Sequence, residues 1–271
     1  MTATILDIKL TPFLKYTGGK TRLLPELLPR VPGGFTRLIS PFFGGGALEL
    51  AIAPKKAILA DANPELINAL QVIRDFPYTL IEYLSHHAYS PEYYLDLRGK
   101  RTTDPVKRAS RYIYLSKCGF NGVQRTNKKG ENNVPFGKHK SRPDWVQRDK
   151  ILAISRYLNK NEIEIANSDF EAIIDCSTEG DFLYLDPPYH GTHTAYVAAG
   201  FTEKDQIRLK ETVNRANNRG SKFLLSSSDT DFIRSLWQDY KIEEVTVRRS
   251  VSRDASTRGE VTELLISNYR I

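Results

Sequence analysis

Two rhythms of apolar residues alternate along the chain. Short apolar runs bounded by turn residues predict buried strands at 37–43, 56–60, 162–166, 181–185 and 223–228. Two further runs, 241–250 and 261–269, predict a closing strand pair. Elsewhere the spacing is helical. Leu66, Ile67, Ala69, Leu70, Val72 and Ile73 share one helix face, as do Leu80, Ile81 and Leu84. Residues 20–28, 47–52, 91–97, 106–115, 151–158 and 231–237 also predict helices, and Thr202 to Asp205 opens another as a capping box with Asp in the usual Glu position. Strands alternating with helices predict an α/β fold. From 64 to 116 there is no strand, so a helical unit interrupts that pattern.

Charge placement changes the picture more than bulk composition. The chain has 271 residues, 40% hydrophobic and 26% charged, enough for one large α/β domain or a domain with an insertion. No apolar run approaches the ~20 residues of a membrane span. The first eleven residues lack the pattern of a signal peptide. Cys118 and Cys176 form neither a metal spacing nor a disulfide framework, so no metal is expected and a reduced, intracellular setting is the default. Residues 100–142 carry twelve Lys and Arg against Asp104 and Glu131, a net of +10, which leaves −3 for the rest of a chain whose total is +7. One basic segment on a mildly acidic body is the footprint of a phosphate-backbone binder. Within it, residues 119–140 have no period and are rich in Asn, Gln, Arg and Lys, the residues that read base edges and grip phosphates. Phe120, Val123, Val134 and Phe136 argue against disorder, so this stretch is expected to be a base-reading loop or hairpin.

Candidate chemistry gathers where predicted strands end. Asp186-Pro187-Pro188-Tyr189 follows the run at 181–185, and its two prolines must stop the strand. Asp186 and the Pro187 carbonyl could each accept one N–H of a planar amine while Tyr189 stacks on its ring. An exocyclic amino group of a nucleobase fits. The plainer alternative is a Pro-Pro turn with Tyr189 as packing. Gly44-Gly45-Gly46 joins a strand to a helix, the first half of a nucleotide-binding unit, though Glu49 breaks the dinucleotide fingerprint. Asp61 ends the second strand and could accept ribose hydroxyls, while Asn63 before Pro64 serves as helix cap. Asn167 to Phe170 forms another strand-end cluster, suited to an adenine. Gly19-Lys20-Thr21 is not a P-loop, because Leu14 replaces the first glycine and no strand precedes it. Lys15, Tyr16 and Lys20 instead surround a tight loop expected to feed a helix N-terminus that favours a carboxylate. Arg248, Arg249, Arg253 and Arg258 make a second basic edge.

Taken in order, these motifs resemble the Dam-type DNA adenine-N6 methyltransferases, the α-group of the D12 class, almost from end to end. Lys15-Tyr16-Thr17-Gly18-Gly19-Lys20 looks like that family's N-terminal cofactor motif. Pro41-Phe42-Phe43-Gly44-Gly45-Gly46 is similar to its glycine motif, and Asp61 to the acid ending its second strand. Phe120-Asn121-Gly122-Val123-Gln124-Arg125-Thr126-Asn127, with Asn133-Val134-Pro135-Phe136-Gly137, resembles its recognition hairpin. Arg248-Arg249-Ser250-Val251-Ser252 and the segment 258–265 resemble its C-terminal part.

The resemblance implies a Rossmann-like S-adenosylmethionine-dependent methyltransferase sheet with an inserted helical and hairpin target-recognition domain. Residues 1–68 and 146–271 would form the catalytic domain and 69–145 the recognition domain. Tyr16, Lys20, Phe43, Gly44, Gly45, Gly46, Asp61, Asp169, Phe170 and Asp186 would line the cofactor site. Asp186, Pro187, Pro188 and Tyr189 would act on an adenine flipped from double-stranded DNA. Recognition, by resemblance of GATC, would fall to Lys15, Phe120, Asn121, Gly122, Val123, Arg125, Asn127, Asn133, Pro135, Lys138, Arg248, Arg249, Ser250 and Ser252. Phe120 stands where the family often has Tyr, and Gln124 precedes the key arginine. The resemblance further implies a cytoplasmic, nucleoid-associated monomer of bacterial or phage origin, with a cognate restriction endonuclease as a partner to consider. An RNA or protein acceptor, and a non-catalytic DNA-binding module, are the competing readings.

Overall fold

A computed structural model describes residues 9–123, 125, 127, 132–191, 200–248 and 260–270. After short 3-10 and α turns, with α1 at Leu24–Leu27, the chain enters β1 (Leu38–Ser40), α2 (Ala47–Ile52) and β2 (Lys56–Asp61). Four helices follow: α3 (Pro64–Asp75), α4 (Pro77–Ser85), α5 (Pro91–Gly99) and α6 (Pro105–Cys118). Each begins on a proline, whose missing N–H costs nothing in a first turn. Asn63, Ser90 and Asp104 cap α3, α5 and α6 with their side chains. The α/β pattern then resumes with α7 (Arg148–Lys160), β3 (Glu162–Asn167), α8 (Phe170–Asp175), β4 (Phe182–Leu185), α9 (Glu203–Asn218), β5 (Lys222–Ser228), α10 (Asp231–Leu236), β6 (Lys241–Arg248) and β7 (Glu260–Ser267). The capping box of Thr202 and Asp205 opens α9 as expected.

The seven strands make one sheet in the order β3-β2-β1-β4-β5-β7-β6. Strands β1 to β5 run parallel, and β7 inserts antiparallel between β5 and β6. Side chains alternate between two cores, as the strand period requires. Leu38, Ala57, Leu59, Phe182 and Tyr184 face α2, α3 and α7, while Ile39, Ile58, Leu183 and Leu185 face α8, α9 and α10. This is the Rossmann-like, mostly parallel sheet that the resemblance implied. The first core runs on without a break into α4, α5 and α6, and α3 passes through residues 68 and 69. Trp145 closes it, fully buried, with its indole N–H donated to the Leu84 carbonyl at 2.9 Å.

Three expectations need correction. The helix expected over 20–28 is broken into a 3-10 turn at Lys20–Arg22, α1, and a 3-10 turn at Leu28–Arg30, because Pro25 and Pro29 cannot donate to a continuous ladder. Lys20 therefore opens a three-residue 3-10 turn rather than a continuous α-helix. The strand expected over 37–43 ends at Ser40, since Pro41 again lacks an N–H. Helix α8 was not foreseen: six residues are too short to show a period. The stretch 119–140 is a hairpin where it is described. Gly119 bridges Phe136, the Phe120 amide donates to the Pro135 carbonyl at 3.0 Å, and the Asn133 amide to Arg125 at 3.1 Å. Its base is docked on α5, where Tyr94 and Arg98 both donate to the Val134 carbonyl. Among the described residues no helix is long and apolar enough to cross a membrane.

The turn after β1 depends on Gly46. Its φ is +66°, and a Cβ there would lie 2.3 Å from the Phe43 ring. Gly46→Ala is expected to destabilise the protein by about 2–4 kcal/mol through backbone strain plus overpacking, read as a lower urea midpoint. A loss below about 0.5 kcal/mol would show that the turn can rearrange.

Candidate active site

The chain leaves β1 towards β2 but leaves β4 towards β5, so a crevice opens at the carboxyl ends of these two neighbours. It is a cleft of about 1510 Å³. Tyr16, Lys20, Phe43 to Gly46, Asp61, Asp169, Phe170 and Asp186 to Tyr189 all line it. So do Lys15, Asn121, Val123, Arg125, Asn127 and Asn133, which brings the recognition hairpin to the mouth of the same cleft. Of the other expected recognition residues, Phe120, Gly122, Pro135 and Lys138 do not line it. Phe120 is 50% exposed, Pro135 and Lys138 are exposed, and Gly122 is buried with its α-carbon face against Lys15. Arg248 ends β6, while Arg249, Ser250 and Ser252 lie outside the described residues.

Asp186 is held by one oxygen. Its Oδ1 accepts from Lys20 Nζ at 2.8 Å and from Ser226 Oγ at 2.9 Å. Oδ2 meets no donor among the described residues. Burial pushes the carboxyl above its ordinary range, opposed by the charge and hydrogen bonds of Lys20 and Ser226, while Glu263 adds to the rise. The Pro187 carbonyl also meets no donor among the described residues, whereas the Pro188 carbonyl accepts from Gln206 at 3.0 Å. Tyr189 donates its hydroxyl to Glu263 Oε2 at 2.7 Å, which fixes the ring's orientation, and Lys20 Nζ lies 4.5 Å from the ring centre. Two unspent acceptors and a fixed ring thus share one strand end.

On the opposite wall the glycine turn and Asp61 support each other. Asp61 Oδ2 accepts from the Gly44 amide and Oδ1 from the Asn63 amide, both at 2.9 Å. Each oxygen keeps a second lone pair for a hydroxyl. The Asn167 to Phe170 cluster is more engaged than expected. Asp169 caps α8 and also takes both guanidinium arms of Arg208, at 2.8 and 3.0 Å. These bonds hold its carboxyl below the usual range. Arg208 lies over the Phe170 ring at 4.1 Å, and Phe42 stacks with the same ring. In the hairpin, Arg125 spends Nε and one Nη2 proton on Asn133, at 2.7 and 3.1 Å. Its end-on fork of Nη1 and Nη2 remains for a ligand.

Several residues of this site were not singled out from the sequence: Glu49, Tyr184, Arg208 and Glu263 line the cleft, and the buried Ser226 bonds to Asp186 from β5. Only Glu49 and Glu263 stood inside motifs already noticed, and neither carried a local signal of its role. Glu49 is 2% exposed and accepts from Ser40 Oγ at 2.5 Å. Burial pushes its carboxyl from an ordinary 4.5 to about 7, against the Ser40 bond, with Asp186 and Asp61 adding to the rise. A folded-state pKa above the unfolded one means stability that is full below 4.5 and is lost as pH climbs through about 7. Glu49→Gln removes that loss. The variant is expected to gain about 3 kcal/mol over the wild type between pH 4 and pH 8, measured by urea denaturation at both. A difference that stays constant with pH would contradict the shift.

The cleft unites a glycine turn, strand-end carboxylates and Asp-Pro-Pro-Tyr on a methyltransferase-type sheet, and comparison with known proteins agrees. A family model described as D12 class N6 adenine-specific DNA methyltransferase matches residues 16–251. A type II methyltransferase of Lactococcus lactis subsp. cremoris, M1.LlaDCHI, is 38% identical over 275 residues, covering 97% of this chain and 96% of that protein. The type II methyltransferase M.MjaIII of Methanocaldococcus jannaschii is 33% identical over 292 residues, covering 97% and 100%. A DNA adenine methylase of Haemophilus influenzae is 31% identical over 271 residues, covering 95% and 93%. With the family model spanning most of its length, this chain belongs to the D12 class of N6 adenine-specific DNA methyltransferases.

Proposed function

We propose that this protein transfers a methyl group from S-adenosylmethionine to N6 of an adenine flipped out of duplex DNA, within GATC. The observation that carries the reading is the half-engaged carboxylate of Asp186 beside the unbonded Pro187 carbonyl and the fixed Tyr189 ring. S-adenosylmethionine supplies an electrophilic methyl on a sulfonium. The residues present suit it: glycine backbone that permits close approach, spare lone pairs on Asp61, and a buried Tyr184 hydroxyl with no hydrogen-bond partner among the described residues. Tyr16, Lys20, Phe43 to Gly46, Asp61, Asp169 and Phe170 are the groups that would hold the cofactor.

Asp186 and Pro187 act on the amino group. Each accepts one N–H, which draws the nitrogen lone pair out of the ring's conjugation and aims it. Lys20 and Ser226 favour the ionised form of Asp186 against its burial and orient it, leaving Oδ2 to the base. Glu263 keeps Tyr189 at the angle for stacking. With no covalent intermediate needed, orientation supplies much of the acceleration, up to about 7–11 kcal/mol for a well-positioned pair. Residues 69–145 serve as the recognition unit, with 1–68 and 146–271 as the catalytic one. Arg125 reads a guanine with its fork, Lys15 a base at the other end, and Asn121, Val123 and Pro135 the central pairs. Phe120, half exposed at the base of the hairpin, wedges beside the vacated position. GATC itself comes from the resemblance to Dam-type enzymes, as do a monomeric state, a cytoplasmic site of action at the nucleoid and a cognate restriction endonuclease as partner.

Asp186→Ala is expected to lower kcat by at least about a hundredfold while DNA affinity stays within about threefold, as for loss of a group that acts mainly in the transition state. A variant that still turns over at the wild-type rate would exclude this mechanism. The substrate is tested by labelled methyl transfer to duplexes carrying GATC, GAAC or neither, followed by nucleoside analysis. Label is expected in N6-methyladenine with GATC alone. Arg125→Ala is expected to lose about 1–3 kcal/mol of discrimination at the guanine position. Equal label on every duplex would remove the GATC assignment, and no label despite cofactor binding would turn the search to RNA or protein acceptors.

A further inference from the structure

Glu49 lies in the first turn of α2, at the floor of the cleft, and the reaction as proposed makes no use of it. Its surroundings are unusual for a carboxylate. Among the described residues, the groups that face it are Ser40 from β1, Asp61 from the end of β2, Tyr184 from β4, Asp186 just beyond it, and Tyr157 from α7. None is a cation. Lys20, the buried lysine of the cleft, is committed to Asp186 at 2.8 Å. A buried ionised acid without a counter-charge is costly, and it persists where something else supplies the charge. The second sign of a missing ligand is Tyr184. It is 2% exposed and lines the same cleft, and its hydroxyl makes no full hydrogen bond among the described residues, the nearby Ser226 hydroxyl being donated to Asp186.

We propose that Glu49 is the charge-selecting residue of the cofactor site: its carboxylate favours a cationic ligand, so the cleft prefers the sulfonium S-adenosylmethionine over the neutral thioether S-adenosylhomocysteine. This rests on the cofactor reading above. The selection has a direct use, because transfer of the methyl removes the positive charge and with it the product's hold on the site. It also sets a sign for pH. A bound cation favours the ionised form of Glu49, so binding releases a proton, and the preference for the cation grows as pH rises through about 7. Asp61 and Asp186 face both ligands too, but Lys20 already supplies Asp186 with a counter-charge and two backbone amides stabilise the Asp61 carboxylate. Glu49 has the single Ser40 hydroxyl and its own amide.

The test is calorimetric titration of the full chain with each ligand at pH 6 and pH 7.5, in the wild type, Glu49→Gln and Ser40→Ala. In the wild type, the ratio of the two dissociation constants is expected to shift several-fold towards S-adenosylmethionine over this interval, as the bound cation draws the Glu49 pKa down from about 7. Glu49→Gln keeps the shape and is expected to lose the shift. Ser40→Ala removes a donor to the ionised form and is expected to move the shift to higher pH. A ratio independent of pH in the wild type, or one that climbs equally in Glu49→Gln, overturns the proposal while leaving the cofactor reading intact. If neither ligand binds at either pH, the cofactor reading fails and this inference fails with it.

Discussion

The ion pair between Lys20 and Asp186 is the interaction on which the rest of the site depends. Both groups are withdrawn from water, so the pair depends on the further hydrogen bonds that each partner makes. Lys20 also donates to the Gly18 carbonyl and rests over Tyr189, and Asp186 also accepts from Ser226. The pair therefore fastens the N-terminal loop to the strand end that carries Asp-Pro-Pro-Tyr. It also decides which oxygen of Asp186 is used up and which is left for a ligand.

The same loop ties the hairpin that begins at Gly119 to the sheet. Gln147 donates to the Phe13 carbonyl, Lys150 to Pro12 and Ser116 to Lys15, each at 2.8–2.9 Å. Gly122 of the hairpin packs on the Lys15 side chain so closely that a Cβ there would lie 2.7 Å away. Residues 12–20 thus touch α6, α7, the hairpin and Asp186 in succession. With one core continuous from the sheet into α4, α5 and α6, a displacement of the hairpin has a short mechanical route to the strand end.

Acids accumulate at this crevice at a cost to stability. Burial raises the carboxyls of Glu49, Asp61 and Asp186 together. A fold selected for stability alone would fill Glu49's position with an apolar side chain, since its neighbours are already buried. Local destabilisation of this kind is characteristic of sites whose electrostatics serve a ligand.

The sequence by itself determined the elements and most of the candidate site. Proline after a capping residue marks helix starts locally, apolar runs mark buried strands, and Asp-Pro-Pro-Tyr after such a run puts acceptors and a ring at one strand end. Those signals act over a few residues, which is why they can be read without the fold. The break at Pro25 and Pro29 was equally local and was still outweighed by the apolar spacing around it. Only the tertiary structure decided which strands are neighbours. A period of two says that Ser40, Tyr184, Ser226 and Glu263 each face one side of a strand, but not that β1, β4, β5 and β7 lie side by side in that order. The contacts of Ser226 with Asp186, Glu263 with Tyr189 and Arg208 with Asp169 join residues 40, 74 and 39 positions apart. Such pairings are set by how the helices cover the two faces of the sheet, and no spacing along the chain encodes them.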